Sequence, residues 1–338
     1  MKNLISIICI AVLLSSSLFS GAQSTYKVVN QIHLEGDGGW DYLTVDEAAG
    51  RLYVSHSSMA LVVDLKTGKQ IGKIEGTNGI HGIAIATSLN KGFTSNGRDS
   101  SVTVFNLKTL EITGKIKVTG KNPDAILYDA FSGKLFTFNG RSANATVIDP
   151  KLNKVIGTIQ LYGKPEFPAS DGKGKIFVNI EDKSEISVIN ANTLKVEKTW
   201  SITPGEEPSG LALDNETHRL FSVCSNKLMV VSDAEAGTVE TSLPIGGGCD
   251  GVAFDPALKR AYSSNGEGTI TVVQEENKDS FKVIETIVSQ RGARTIAVDK
   301  TTHHLYLSTA EFGEAIEGSR RPPMKPGTFM VLDVAPVK

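Results

Sequence analysis

The chain has 338 residues, a formal net charge of −2 and 33 glycines. This length allows one large domain or two ordinary ones, with a core that needs no disulfide or metal for stability. The hydrophobic fraction of 40% and the charged fraction of 21% exclude a disordered chain. The near-neutral charge argues against a protein that holds nucleic acid by charge alone, so we expect no nucleic-acid partner.

The N-terminal segment has the three parts of a secretory signal peptide. A short basic start at 1–3 precedes an apolar run over 4–14, and small residues stand at the −3 and −1 positions of a cleavage site after Ala22. An uncleaved membrane anchor is the alternative, but the run is too short for a good transmembrane helix. We therefore predict a signal peptide over 1–22 and one mature domain over 23–338 that is periplasmic or secreted, with no transmembrane segment.

Two residue columns repeat along the chain with one period. An aromatic residue that follows a small or aliphatic one recurs at intervals of 40 to 44 residues, at Tyr53, Phe93, Phe136, Phe177, Phe221, Tyr262 and Tyr306. A second mark precedes each of these and is an aspartate in six of seven copies, at Asp46, Ala86, Asp129, Asp171, Asp214, Asp255 and Asp299. Two columns with one period predict seven copies of one structural unit.

Each unit is typical of short strands separated by turns. Runs such as 83–85 and 102–105 are apolar or β-branched, and no long stretch has helical periodicity. Four strands in about 42 residues is the period of a propeller blade. The last unit ends without a fourth strand after 329–333, and the mature chain opens with an unassigned strand over 28–34. The sequence predicts an all-β, seven-bladed β-propeller with four-stranded blades, in which the N-terminal strand closes the last blade.

A degenerate tetrapeptide ends each second strand, most clearly at 53–56, 93–96, 136–139 and 262–265. In these motifs the mature chain resembles the YVTN-repeat, or YncE-like, β-propeller family over nearly all of its length. The resemblance implies a bacterial exported propeller. It implies little about activity, because propellers include binding modules, lyases, lactonases and quinoprotein or copper oxidoreductases.

The repeat also predicts which side chains face the mouth of the central channel, since the first strand of a blade begins, and the second ends, on one face. The first column holds Asp41, His81, Asp124, Glu166, Ser209, Asp250 and Arg294. The second column holds His56, Asn96, Asn139, Ile180, Cys224, Asn265 and Thr309. We predict a polar, largely acidic ring that binds a ligand through Asp41, Asp124, Glu166, Asp250, Arg294, Asn96, Asn139 and Asn265. The alternative is that these residues only cap turns and strand ends.

Three kinds of chemistry are open at this ring. Its carboxylates suit a divalent cation, Ca²⁺ or Mg²⁺ before a transition metal, with candidate ligands Asp41, His81, Asp124 and Asp250. His81 or His56 beside an acid would suit general acid–base catalysis. Arg294 either neutralises Asp41 or binds a ligand anion.

Three further features lie on the same face. Trp40 and Phe167 either stack on a ligand or cover the core. The loop over 310–327 is longer than its counterparts, and we interpret it as a flap or a mobile loop. Cys224 and Cys249 are candidates for a disulfide, with two buried thiols or a soft-metal pair as alternatives.

These observations predict an exported, monomeric binding module that recognises a small molecule or a cell-envelope protein at the acidic channel mouth. The alternative is a metal-assisted lactonase, lyase or hydrolase at the same mouth. An oxidoreductase with a quinone or copper centre is a weaker third hypothesis, because only two of the six histidines of the mature chain face the mouth.

Overall fold

The computed structural model describes residues 25–314 and 322–337. These residues form seven antiparallel sheets of four strands each, which confirms the predicted seven-bladed β-propeller. The predicted signal peptide over 1–22 lies outside the described residues. Across 25–314 and 322–337, no helix has the length and apolar character needed to cross a membrane.

The strands follow one another with almost no helix between them. The strands in the first half of the chain are β1 (Tyr26–His33), β2 (Trp40–Asp46), β3 (Arg51–His56), β4 (Met59–Asp64), β5 (Lys69–Ile74), β6 (Ile80–Ala86), β7 (Lys91–Asn96), β8 (Ser101–Asn106), β9 (Ile112–Lys117), β10 (Pro123–Asp129), β11 (Lys134–Asn139), β12 (Asn144–Asp149) and β13 (Lys154–Gln160). One-turn 3₁₀ helices occur at Thr87–Leu89 and Glu181–Lys183.

The second half comprises β14 (Pro165–Ser170), β15 (Lys175–Ile180), β16 (Glu185–Asn190), β17 (Lys195–Ser201), β18 (Pro208–Asp214), β19 (Arg219–Cys224), β20 (Leu228–Asp233), β21 (Thr238–Pro244), β22 (Cys249–Asp255), β23 (Arg260–Asn265), β24 (Thr269–Asn277), β25 (Ser280–Val288), β26 (Ala297–Asp299), β27 (His304–Thr309) and β28 (Met330–Pro336). Blades 1 to 6 are β2–β5, β6–β9, β10–β13, β14–β17, β18–β21 and β22–β25. Blade 7 is ordered β1-β28-β27-β26.

Closure of the ring follows the prediction. The first strand β1 pairs antiparallel with the last strand β28 and forms the outer edge of blade 7. The Tyr26 hydroxyl on β1 also lies 3.0 Å from the Tyr262 hydroxyl on blade 6. Each end of the described chain thus holds the other in place, because the N-terminal strand supplies the outer strand of the last blade and so closes the ring.

The two repeated columns have separate structural causes. The aromatic residues are buried between blades, as where Tyr53 packs on Phe105 of the next blade with ring centroids 5.8 Å apart. Burial of such a ring contributes roughly 1.5–3 kcal/mol. The aspartates cap the turns that follow the first strands, as where Asp46 accepts from the Ala49 amide and Asp129 from the Ser132 amide. Packing fixes one column and turn geometry the other, so both keep the blade period.

Candidate functional site

The first-column side chains lie at a local irregularity of the innermost strands. In blades 1 to 3 the pairing with the second strand shifts register between Trp40 and Leu43, between Ile80 and Ile83, and between Pro123 and Ile126. The same shift recurs in blades 4 to 6. Irregularities of this kind re-aim side chains, so blades 1 to 6 each offer one such position at the mouth, whereas in blade 7 Arg294 precedes the strand β26.

Hydroxyl groups hold these irregular segments in place. Ser55 Oγ accepts from the Asp41 amide at 2.9 Å, and Thr295 Oγ1 donates to the Asp41 carbonyl at 2.7 Å. In blade 2, Ser95 Oγ donates to the Asp124 carbonyl of blade 3. The positions of Asp41 and Asp124 are therefore fixed by neighbouring blades as well as by their own strands.

The structure brings together three first-column residues from three successive blades, Asp41, His81 and Asp124, here called the His81 cluster. His81 Nδ1 lies 2.6 Å from Asp41 Oδ2 and 3.6 Å from Asp124 Oδ1. One ligand atom from each of the three residues lies within 4.8 Å of the others. All three side chains are partly buried, with exposed fractions of 15% for each aspartate and 27% for the histidine.

The charges in this cluster are strongly interdependent. Burial works against a protonated His81, but the hydrogen bond with Asp41 and the charge of Asp124 outweigh it and raise the pKa of His81 to about 9. Burial raises the pKa of Asp124 despite the opposing charge of His81, and the Asp41 carboxylate adds to the rise. The cluster therefore holds an imidazolium between two carboxylates at neutral pH.

The floor under the His81 cluster is aromatic. Tyr42 of blade 1 packs against Phe167 of blade 4, with ring centroids 5.1 Å apart. Burial, and then the charges of Asp124 and Asp41, raise the pKa of Tyr42 well above its ordinary value. Phe167 therefore covers the core together with Tyr42, which is the second of the two roles considered for it from the sequence.

Glu166 extends the charged region into blade 4, where it is 7% exposed. Lys164 Nζ lies 2.8 Å from Glu166 Oε1 and also pairs with Glu181. Burial and the charge of Asp124 raise the pKa of Glu166, whereas Lys164 lowers it. The sequence analysis overlooked Lys164, which lies outside both repeated columns.

Asp250 and Arg294 form a separate pair on blades 6 and 7. The Arg294 guanidinium contacts the Asp250 carboxylate, donates to the Trp40 carbonyl at 2.8 Å and lies 3.8 Å from Asp41 Oδ1. Asp250 thus pairs with an arginine and stands apart from the His81 cluster to which we assigned it as a metal ligand. For Arg294, the structure favours neutralisation of carboxylates on neighbouring blades.

A cavity of about 420 Å³ opens beside this pair, where blades 6, 7 and 1 meet, and we call it the arginine cavity. Two arginines and no acid are found among its described lining residues, which are Gly38, Gly39, Trp40, Gly248, Gly266, Arg291, Gly292, Arg294, Phe312, Pro322 and Met324. Within residues 25–314 and 322–337 the exposed Arg291 guanidinium has no hydrogen bond or ion pair. The sequence predicted a polar, largely acidic ring. In the structure, this part of the mouth is lined by arginines instead of acids.

The described ends of the long loop form one wall of this cavity. Phe312 and Met324 are bridged as an antiparallel pair, and the Gly313 amide donates to the Pro323 carbonyl at 2.8 Å. Trp40 packs on Phe312 with ring centroids 6.2 Å apart. The predicted flap over 310–327 is thus described only at its ends, and its tip at 315–321 lies outside the described residues.

The asparagines of the second column do not face the mouth. Asn96, Asn139 and Asn265 are fully buried. Asn139 accepts from Thr137 at 3.1 Å and donates to Asn144 at 2.8 Å and Thr146 at 3.0 Å, and the other two have equivalent partners. Their amides are used within the blade, so their assignment as ligand-binding residues is replaced by a structural role.

His56 is likewise separated from His81. It is fully buried beneath Gly36 and stacks on Phe329 with ring centroids 3.9 Å apart. Neither ring nitrogen reaches a partner in hydrogen-bond geometry, and burial lowers the pKa of His56 despite the nearby Gly36 backbone. A buried ring without an acid partner does not fit the predicted acid–base role, so the two histidines do not act as a pair.

Cys224 and Cys249 are neighbouring free thiols in this structure. Cys249 Sγ donates to the Cys224 carbonyl at 3.1 Å. Burial raises the pKa of Cys249 to about 11 and that of Cys224 to about 12. The disulfide stays a prediction, which peptide mapping without reductant would test.

Comparisons with known proteins show the fold of this chain and do not show its function. No family model matches the sequence, and no curated protein matches it. The chain is similar to the structure titled "Crystal structure of RRP9 WD40 repeats", with a TM-score of 0.79, 8% identity, and coverage of 92% of this chain and 99% of that one. For "Structure of U3-55K" the TM-score is 0.76 at 8% identity, with 93% and 98% covered.

A third similar structure is the hydrazine synthase of Kuenenia stuttgartiensis. Its TM-score is 0.69 at 16% identity, over 81% of this chain and 94% of that one. At such identities the likeness shows the fold alone. The chain is thus a seven-bladed β-propeller, and its function has to be inferred from its own mouth residues.

Proposed function

We propose that this protein is an exported binding module that takes a small organic anion in the arginine cavity. The observation that carries the proposal is a cavity of about 420 Å³ with two arginines and no acid among its described lining residues. Concave sites of this size suit small molecules. A cell-envelope protein, the other partner left open by the sequence, would call for a broader surface.

The cavity has one apolar side and one cationic side. Trp40, Phe312 and Met324 offer surfaces for a flat or apolar part of a ligand. Arg294 is held by Asp250 and the Trp40 carbonyl, so its guanidinium is pre-positioned. A carboxylate or phosphate with an attached ring would satisfy both sides.

Arg291 is the residue expected to select the anion. Its backbone is fixed by the Thr309 hydroxyl, which donates to the Arg291 carbonyl at 2.8 Å. Its guanidinium is exposed and without a described partner, so it can form two parallel bonds to an oxyanion. Arg294 already donates to Asp250 and to the Trp40 carbonyl, so it contributes its positive charge to the cavity more than a free pair of donors.

Direct titration of the mature protein tests the proposal. Benzoate and phenyl phosphate are the probes, and benzamide is the matched neutral compound. We expect the anions to bind and Arg291→Gln to weaken them by about tenfold or more, because a charge-assisted bond contributes about 1.5–3 kcal/mol. Arg141→Gln, which removes an exposed arginine from the blade 3 turn of the same face, is the control.

Equal binding of benzamide and benzoate would contradict the proposal. So would equal weakening by Arg141→Gln. For export, the predicted signal peptide and the resemblance to the YVTN-repeat family are the support. N-terminal sequencing of the protein from a periplasmic extract should begin near Gln23, and an intact Met1 would contradict export.

A metal-assisted lactonase, lyase or hydrolase is the second candidate function, because the His81 cluster combines one imidazole with two carboxylates. Catalysis by this route requires a bound metal and an activated water. Lactone hydrolysis that depends on added Zn²⁺ and is lost in Asp124→Asn would support it. Turnover that is unchanged in Asp124→Asn would exclude this cluster as the active site.

A further inference from the structure

Three histidines in the described structure form a short contact with a carboxylate. His81 Nδ1 to Asp41, His303 Nδ1 to Asp255 and His304 Nδ1 to Asp333 are each 2.6 Å. His303 and His304 each face a single carboxylate. His81 alone has a second carboxylate near the same ring nitrogen, because Asp124 lies at 3.6 Å.

Asp124 differs from Asp41 in the hydrogen bonding of its carboxylate. One nitrogen can donate one hydrogen, and His81 gives its Nδ1 hydrogen to Asp41. Within the described residues the Asp124 carboxylate accepts no hydrogen bond. A partly buried carboxylate that accepts no hydrogen bond is costly, and the His81 imidazolium at 3.6 Å offsets this cost through charge alone.

The neighbouring protein cations are engaged elsewhere. Lys164 is shared between Glu166 and Glu181, and the shortest contacts of Arg294 are with Asp250 and the Trp40 carbonyl. Neither side chain has a described contact with Asp124. Among the described residues, His81 is therefore the one cation in contact with Asp124, whereas Asp41 also lies 3.8 Å from Arg294.

We propose that Asp41, His81 and Asp124 bind a divalent transition metal ion of the Zn²⁺ class. The ion replaces the proton that His81 shares with Asp41, and that proton is released to solvent. Each residue supplies one ligand atom, and these atoms lie within 4.8 Å of one another. Ligands of a Zn²⁺ ion lie about 2.0–2.2 Å from it, so small side-chain movements complete the site.

The donor set decides the class of metal. An imidazole nitrogen with two carboxylates suits Zn²⁺, Co²⁺ or Ni²⁺, whereas Ca²⁺ and Mg²⁺ prefer six or more oxygens. The preference for Ca²⁺ or Mg²⁺ drawn from the sequence is therefore revised. The Tyr42 and Phe167 rings, which pack on each other beside the cluster, offer no ligand atom of the kind that these metals prefer.

The supporting contacts favour a preformed site. Ser55 and Thr295 fix the Asp41 backbone, and Ser95 fixes that of Asp124. Contacts of this kind orient metal ligands and strengthen binding. This inference stands apart from the organic-anion proposal, because the arginine cavity shares none of the three ligands.

The test is a Co²⁺ and Zn²⁺ titration of the mature, chelator-stripped protein without a polyhistidine tag. We expect one Co²⁺ per chain with a visible absorption band that Zn²⁺ displaces. Asp124→Asn and His81→Gln should each weaken binding by about tenfold or more. His304→Gln is the matched control, since it removes a histidine with the same short carboxylate contact.

Asp124→Asn keeps the shape of the side chain, so it tests the ligand even if His81→Gln fails to fold. No stoichiometric absorption band, or equal loss in His304→Gln, would overturn the site. Binding that both cluster variants leave unchanged would show an adventitious ion elsewhere. Benzoate titration of the same metal-free samples keeps failure of this site distinct from failure of the organic-anion proposal.

Discussion

The His81 cluster and the arginine cavity lie at one mouth of one propeller, yet they balance charge in opposite ways. In the cluster, carboxylates from blades 1 and 3 converge on one imidazole, and one carboxylate has no donor among the described residues. In the cavity, Arg294 is matched by Asp250 while the Arg291 guanidinium has no described partner. One mouth thus combines a carboxylate-rich region, which we propose binds a cation, with an arginine-lined region, which we propose binds an anion.

This difference shows that a repeat predicts where a side chain lies better than it predicts what that side chain binds. The register irregularity delivers a side chain to the mouth in blade after blade. What that side chain can bind depends on the two adjacent blades, because its partners come from them. Variants that disturb one region and spare the other test this separation.

The largest expected effect is on the floor of the His81 cluster. Tyr42→Ala removes a buried ring that packs on Phe167 across the channel, and we expect a loss of about 3–5 kcal/mol in the free energy of unfolding. Urea unfolding measures it. Tyr42→Phe keeps the ring and should cost less than about 1.5 kcal/mol. Weaker benzoate binding in folded Tyr42→Ala protein would break the separation between the two regions.

The second effect is a pH dependence that belongs to the cluster. The folded pKa of His81 is raised to about 9 from an ordinary value of 6.5, so its stabilising effect is complete below about pH 6.5 and lost as the pH rises through 9. In the metal-free protein we expect the free energy of unfolding to fall by about 2–3 kcal/mol over this range.

Urea unfolding at several pH values between these limits measures the fall. His81→Gln should lessen the fall, and Glu166, whose pKa burial raises to about 8, accounts for a fall that remains. His304→Gln should leave the whole fall in place. A profile that is equally steep in His81→Gln protein would assign the pH dependence to other groups. Arginines do not titrate in this range, so benzoate affinity should stay nearly constant over it.

The smallest expected effect is confined to the cavity. Gly292 has a φ of +88°, and a Cβ there would lie 2.8 Å from the Phe312 ring. Gly292→Ala should therefore displace Phe312 and weaken benzoate binding by about tenfold, equal to about 1.4 kcal/mol. Co²⁺ binding should be unchanged. Gly133→Ala, at positive φ with open space around it, controls for backbone strain alone.

The fold could be predicted from the sequence because packing and turn capping each repeat once per blade. The buried aromatic column marks every unit and the aspartate column six of the seven, and the orphan strand β1 had one place to pair. Part of the site was also predictable, since Asp41, His81 and Asp124 share one position in their blades.

The remaining features depend on contacts between blades that a repeat does not encode. A second strand of a blade has neighbours on both faces, so Asn139 at its end is buried and bonded within the blade rather than exposed. Tyr42 reaches Phe167 only because the ring brings blades 1 and 4 to opposite sides of one channel. Arg291 lies in the connection between β25 and β26, outside both repeated columns.

The seam between β1 and β28 has a kinetic consequence. The His81 cluster uses residues 41 to 124, which a growing chain presents early and within neighbouring blades. The arginine cavity joins Trp40 to Arg294, 254 residues apart, as does the hydrogen bond between them. Such long-range contacts form late in folding. Binding of an organic anion would therefore report that the ring has closed, whereas the three proposed metal ligands come from the first three blades and depend on the last blade only for the support that Thr295 gives to Asp41.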